Sequence, residues 1–190
     1  MQKELSGSGA LADFGCHMLD MADFLLADTQ GKICEVGAMT GTFIKERTII
    51  DKEIKGPVTN DDSAVFMARM KSGTLLSFVS SRLGVPRSMM EICGEGGMMI
   101  MDRNGNQIEL WLKDKDGSYS NDKREVLEVP EEFKGSDGHK GVINEFVDAI
   151  LDGKPVKRNL ERGLYIQYIL EMLSKSAMEG KSIVLQEDVL

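Results

Sequence analysis

Ser63-Ala64-Val65-Phe66-Met67-Ala68-Arg69-Met70-Lys71-Ser72-Gly73-Thr74-Leu75-Leu76-Ser77-Phe78-Val79 is the stretch whose reading decides the fold. Successive side chains of a β-strand point to opposite faces, so residues two apart share a face. Ala64, Phe66, Ala68 and Met70 then line one face, and Val65, Met67 and Arg69 the other. This alternation predicts a strand over 63–71. Lys71-Ser72-Gly73 ends it in a turn, and a second strand follows over 74–83. A turn this short joins antiparallel neighbours.

The same punctuation recurs downstream. Strands are predicted over 88–93, 97–102 and 107–112, joined by Gly94-Glu95-Gly96 and by Arg103-Asn104-Gly105-Asn106, whose Asn-Gly pair is a strong hairpin signal. Upstream, 33–47 carries β-branched residues with partial alternation and reads as a strand. Lys113 to Lys123 is polar and reads as a mobile loop, followed by a weaker strand over 124–129 and a last short one over 183–185.

Helical spacing over 10–27 gathers Leu11, Phe14, Met18, Met21 or Ala22, and Leu25 into one stripe. Gly15 inside that helix costs about 1 kcal/mol relative to alanine. It points to a close backbone approach, from a cofactor or another domain. Further helices are predicted over 139–151, with Val142, Ile143, Phe146, Val147 and Ile150 on one side, and over 160–179. The pattern is α+β: a mostly antiparallel sheet with helices packed on one face, in a single domain over 1–190. Several strands are apolar on both faces, so the second face is covered too, by another subunit or by the chain's own loops.

Composition narrows the function classes. A chain of 190 residues can bury a sizeable core. Its 42% hydrophobic and 28% charged residues describe an ordinary soluble globular protein. A net charge of −8, spread along the chain, argues against nucleic acid as a partner. Three cysteines (Cys16, Cys34, Cys93) without a Cys-x-x-Cys pair predict neither a disulfide framework nor a zinc site. Each sits in an apolar pattern as a small hydrophobe, which suits a cytoplasmic location. No apolar run approaches the roughly 18 residues of a membrane span, so no membrane partner is expected. The 13 methionines fall at core-like positions, as fillers of core gaps.

The chemistry concentrates in Gly7-Ser8-Gly9-Ala10-Leu11-Ala12-Asp13-Phe14-Gly15-Cys16-His17-Met18-Leu19-Asp20. Residues four apart share a helix face, so Asp13 and His17 can point into one site. The pair suits a general base, His17, beside a carboxylate that orients it or shares its proton. A solvated polar face has the same spacing, and a metal reading of Asp13, His17 and Asp20 has only one histidine and no second ligand cluster. No metal is expected. Asp20, one turn on, reads as structural, hydrogen bonded to a backbone group. Gly7 to Ala12 mimics a G-x-G-x-x-A dinucleotide fingerprint but lacks the hydrophobic strand that must precede one. No cofactor-binding residue is therefore assigned. His139, Arg82, Arg87, Trp111 and Phe133 read as surface or packing residues, although Arg82 or Arg87 could contact a polyol or an acid.

The Gly-Ser-Gly-Ala-Leu-x-Asp-x-Gly-x-His-x-x-Asp run resembles the signature that opens the second domain of the Gfo/Idh/MocA oxidoreductases. The resemblance continues through Asn60-Asp61-Asp62-Ser63-Ala64, the Glu91-Ile92-Cys93-Gly94-Glu95-Gly96-Gly97 hairpin, Phe146 to Pro155, and Ser176-Ala177-Met178-Glu179-Gly180-Lys181. It covers nearly the whole chain in the family's order.

The resemblance implies a glyceraldehyde-3-phosphate-dehydrogenase-like C-terminal domain, with the N-terminal Rossmann domain absent from this chain. It implies NAD or NADP in the full-length protein and none bound by this chain alone. It also implies a sugar, inositol or related polyol as substrate, and homo-oligomers formed through the open sheet face. His17 would be the catalytic base, and Asp13 would tune it and hold a substrate hydroxyl. The family's Glu-Lys-Pro lysine has no counterpart here, since Lys154-Pro155 follows Gly153. The isolated chain is then expected to hold part of a substrate site and no complete reaction centre. The alternative is a non-catalytic dimerisation or ligand-binding module.

Overall fold

A computed structural model describes residues 2–49, 52–102, 107–131, 138–156 and 159–186. They fall into two compact units, one of Met1–Gly84 with Arg158–Leu190, the other of Val85–Lys157. The helix and strand content is the expected α+β, with every ladder antiparallel.

The first unit begins with a short helix, α1 (Lys3–Ser6), and the long α2 (Ala10–Gln30). Its sheet has the order β10-β1-β4-β5, from β1 (Ile33–Gly41), β4 (Ser63–Met70), β5 (Leu75–Ser81) and β10 (Ile183–Val184). Two-residue alternation in β4 is borne out: Ala64, Phe66, Ala68 and Met70 are buried, while Val65, Met67 and Arg69 are exposed. The 71–73 turn closes the β4–β5 hairpin, with Gly73 N donating to the Met70 carbonyl at 2.8 Å and Gly73 at φ +95°. Helices α2 and α4 (Leu160–Glu179) cover the buried face. The core is Leu11 and Leu19 from α2, Val36 from β1, Phe66 and Met70 from β4, and Ile169 and Leu173 from α4. Phe66 stacks on Phe78 at 4.7 Å.

Several boundaries differ from expectation, each for a local reason. Helix α2 runs three residues past Ala27, because nothing breaks it before Gly31, which closes it at φ +73° with its N–H on the Ala27 carbonyl. Its buried stripe is Leu11, Gly15, Leu19 and Ala22; Phe14 and Leu25 are exposed. Both registers fit a 3.6-residue period, and Gly15 lies in the buried one. A Cβ on Gly15 would lie 3.4 Å from Phe66 Cζ and 3.6 Å from Leu170 Cδ2. The close approach is therefore to the chain's own core rather than to a cofactor or another domain.

The strand expected over 33–47 stops at Gly41. Phe43 N and Ile44 N donate to Asp62 Oδ2 at 2.9 and 2.8 Å, which draws the backbone out of the ladder. Glu46–Thr48 forms a separate β2 paired with β3 (Lys55–Pro57).

The second unit holds a meander of order β6-β7-β8-β9, from β6 (Met89–Cys93), β7 (Gly97–Asp102), β8 (Gln107–Lys113) and β9 (Tyr119–Glu128), and the helix α3 (Gly138–Asp152). The loop expected over 113–123 is a tight turn, closed by Asp114 N on the Ser118 carbonyl at 2.8 Å, and then half of β9. Polar composition hid this first half, while the second half is the weaker strand expected from 124; charged side chains are tolerated at a sheet edge. The Asn104-Gly105 turn and Phe133 lie outside the described residues. Cys93 is an exposed thiol rather than a buried hydrophobe, while Cys16 and Cys34 are half-buried and free. Val142, Ile143 and Phe146 on α3 are exposed.

Candidate functional site

The start of α2 carries the site, and the Asn60-Asp61-Asp62 turn holds it in place. The first amides of a helix have no partner within the helix. Here a residue some fifty positions away supplies one: Gly9 N donates to Asp61 Oδ1 and Leu11 N to Asp61 Oδ2, both at 2.7 Å. Ser8 Oγ donates to Oδ1 at 3.2 Å, and Ala10 N to the Asp61 carbonyl at 3.0 Å. A negative carboxylate at a helix N-terminus also complements the helix dipole. The fit requires glycine at position 9, since a Cβ there would sit 2.0 Å from the Asp61 carbonyl oxygen.

Asn60 and Asp62 tie the same turn to its surroundings. Asn60 Nδ2 donates to Ser6 Oγ at 2.6 Å. Asp62 is buried, accepts Arg47 Nη2 at 3.3 Å, and through its carbonyl accepts the Arg82 amide at 2.8 Å. Burial alone would raise the Asp62 pKa; the Ile44 and Phe43 amides and the Arg47 guanidinium outweigh it and hold the carboxyl below the usual carboxylate range. A carboxylate with a depressed folded pKa adds stability above its unfolded pKa, lost as pH falls through the folded value. Stability should therefore drop below about pH 4, and by less in Asp62→Asn, which has no charge there to lose. Urea midpoints at pH 6 and pH 3 check this; equal drops in the two proteins would remove Asp62 from the acid response.

Asp13 and His17 both lie on the exposed face of α2, one turn apart. Asp13 Oδ2 accepts Arg82 Nη2 at 2.5 Å, so this oxygen serves Arg82 rather than His17. Asp13 and Arg82 line a cleft with Ser6, Ser8, Arg47 and Asn60. His17 lines a second, shallower cleft with Cys16, Asp20, Arg162 and Gln167. Burial raises the pKa of Cys16 there, which keeps it a thiol.

Rather than the backbone group expected, the Asp20 carboxylate pairs with a side chain from another helix. The Arg162 Nε on α4 bonds its carboxylate, and Arg162 Nη2 donates to the Asp20 carbonyl at 2.8 Å. Arg162 Nη1 also lies 3.2 Å from Asp23 Oδ2. Burial raises the pKa of Asp23, and the Arg162 charge opposes that rise. One guanidinium thus staples the two helices behind His17. Asn159 caps α4, its Oδ1 accepting Arg162 N at 3.0 Å, and so fixes where that guanidinium starts.

Sequence reasoning missed Arg162 and Arg47, because lone arginines far apart in the chain give no spacing signal, and it took Arg82 for a surface residue that could contact a polyol or an acid rather than for the partner of Asp13. Trp111 and Arg87 belong to the second unit, where Trp111 Nε1 donates to Glu109 and Arg87 reaches Met89. His139 is exposed at the start of α3. Among the described residues no three His, Cys, Asp or Glu are grouped to hold a metal, and no helix is long and apolar enough to cross a membrane.

The geometry also tests the dinucleotide reading of Gly7 to Ala12. A pyrophosphate needs free amides at the N-terminus of a helix that follows a strand. These amides are taken by Asp61, and α1 precedes them. The segment does not fit a dinucleotide.

Comparison with known proteins agrees with this fold. Levoglucosan dehydrogenase of Pseudarthrobacter phenanthrenivorans is 31% identical over 53% of this chain and 29% of that protein. An NAD-binding oxidoreductase from Klebsiella pneumoniae superposes with a TM-score of 0.78 at 26% identity, over 98% of this chain and 53% of its own. A levoglucosan dehydrogenase in complex with NADH and levoglucosan does so with a TM-score of 0.77 at 26% identity, over 97% and 53%. The chain thus spans about half the length of these solved structures and under a third of the curated relative. The profile of the GFO/IDH/MocA C-terminal domain matches residues 1–100, with the helix signature, its Asp61 clamp and strands β1, β4 and β5 of the first sheet inside the match, and the chain belongs to that family.

Proposed function

We propose that this chain is the substrate-side half of an NAD(P)-dependent oxidoreductase acting on a sugar or related polyol, with His17 as the general base. The observation that carries the reading is the placement of Asp13 and His17 on one exposed helix face, where the family signature sits. Oxidising a hydroxyl to a carbonyl releases a proton, so a base must stand within hydrogen-bond reach of that hydroxyl. His17 is exposed over its cleft and accepts that proton. Asp13, with Oδ2 on Arg82, offers Oδ1 to a neighbouring substrate hydroxyl. The nicotinamide, held in a separate dinucleotide-binding half, would accept the hydride. The relative solved with NADH and levoglucosan supports the substrate class.

Homo-oligomers through the open face of the first sheet belong to the same proposal. That face presents Met39, Val65 and Val79 in one cross-strand row, with Met67 in the next row, all exposed. A contiguous apolar patch of this kind marks an interaction surface.

Calorimetric titration of the chain with NAD, NADP and their reduced forms tests the division of labour. Asp61 blocks the one helix N-terminus that mimics a fingerprint, so no heat of binding is expected. Micromolar binding would mean that the chain holds a dinucleotide site of its own and that the proposal assigns it the wrong half of the reaction.

A further inference from the structure

We infer that Arg82 is a positioning residue for Asp13, an assignment that rests on the proposed oxidoreductase reading and goes beyond it. Arg82 follows the end of β5, and its side chain is 18% exposed against 55% for that of Asp13. The better-buried guanidinium therefore fixes the more exposed carboxylate, through the 2.5 Å contact to Oδ2. A carboxylate on a bare helix surface samples several rotamers. One whose Oδ2 is held by a packed guanidinium presents Oδ1 in a fixed direction.

Arg82 is itself held by the turn that starts the helix. Its amide donates to the Asp62 carbonyl at 2.8 Å, and the adjacent Asp61 clamps Gly9 and Leu11. Both ends of the pair, the strand end that carries Arg82 and the helix turn that carries Asp13, are thus referenced to two consecutive residues. Misplacing a contacting group by about 1 Å can cost on the order of 100-fold in rate, so such a frame has a function to serve. Arg47, on the other side of the cleft, is engaged with Asp62 and does not substitute for Arg82.

The test is a double-mutant cycle in the full-length protein, reading kcat and KM for levoglucosan and NAD. Arg82→Met should lower kcat/KM about 10- to 100-fold, with thermal stability close to wild type because the pair is partly solvent exposed. Arg82→Lys should recover much of the loss. Asp13→Ala should be impaired, and adding Arg82→Met to it should cost little more, since Arg82 acts through Asp13. Losses that multiply in the double variant, or an Arg82→Met protein with wild-type kcat/KM, would overturn the assignment. His17→Ala separates the two readings. If it is inactive while Arg82→Met is fully active, only the role of Arg82 falls. If it turns over normally, the base reading falls, and the role of Arg82 with it.

Discussion

Replacing His17 with alanine in the full-length protein should lower sugar-dependent turnover about 100-fold or more, the usual contribution of a positioned general base. The loss should fall on kcat. A base acts mainly in the transition state, and an interaction made only there lowers kcat and kcat/KM together. Folding should be spared, because His17 is exposed and the helix beneath it is held by other groups: Asp61 at its start, Leu11 and Leu19 in the core, Arg162 from α4. Initial-rate kinetics with a thermal melt of the same sample check both halves. Normal turnover in a folded variant would remove His17 from the chemistry.

The largest expected effect on stability is at Asp61. Asp61→Ala removes two charge-assisted hydrogen bonds to backbone amides, at 2.7 Å each, which together cap a 21-residue helix. Caps are worth about 0.5–2 kcal/mol, and hydrogen bonds to a charged partner about 1.5–3 kcal/mol. The sum is not additive, since water reaches the freed amides in part; a loss of about 3 kcal/mol is expected. For a protein of this size that is roughly a 10 °C drop in Tm. Asp61→Asn keeps one acceptor oxygen and should fall between. Gly9→Ala should be damaging by the converse route, forcing apart the Asp61 backbone and the helix start that the short contact holds together. Melts within about 2 °C of wild type for Asp61→Ala would mean that the clamp is incidental to the fold.

The alternation of β4 was legible in the sequence because one face is packed and the other is not, which is the condition under which a two-residue period survives. The 71–73 turn was legible through Gly73, whose φ of +95° few other residues tolerate. The rotation of α2 was not. Two apolar stripes fit its letters, and the choice between them belongs to Phe66 and Leu170, which press on Gly15 from elsewhere in the chain. The second half of β9 was legible as a weaker strand over 124–129; its first half was hidden by polar residues such as Lys123, which pairs with Asp114 on the far side of the turn.

The site shows the same division. Asp13 and His17 are proposed because helical spacing and a resembling signature both point to them. Their supports could not be read in the same way. Asp61 reaches α2 across 50 residues, Arg82 reaches Asp13 across 69, and Arg162 reaches Asp20 across 142. The expected Asp13–His17 partnership takes a different form in the structure, where Asp13 turns to Arg82 and His17 opens on the cleft beside Arg162.

Chemical rescue of His17→Ala by free imidazole tests the central claim most directly. On the proposed reading, the variant's turnover of a sugar that the wild-type protein oxidises, with NAD or NADP, would be measured as imidazole is titrated in. The account predicts that turnover rises with imidazole concentration, while the wild-type rate stays flat, because the added base enters the space the ring has left. A folded, sugar-binding His17→Ala protein whose rate ignores imidazole would contradict the role of His17 as the base.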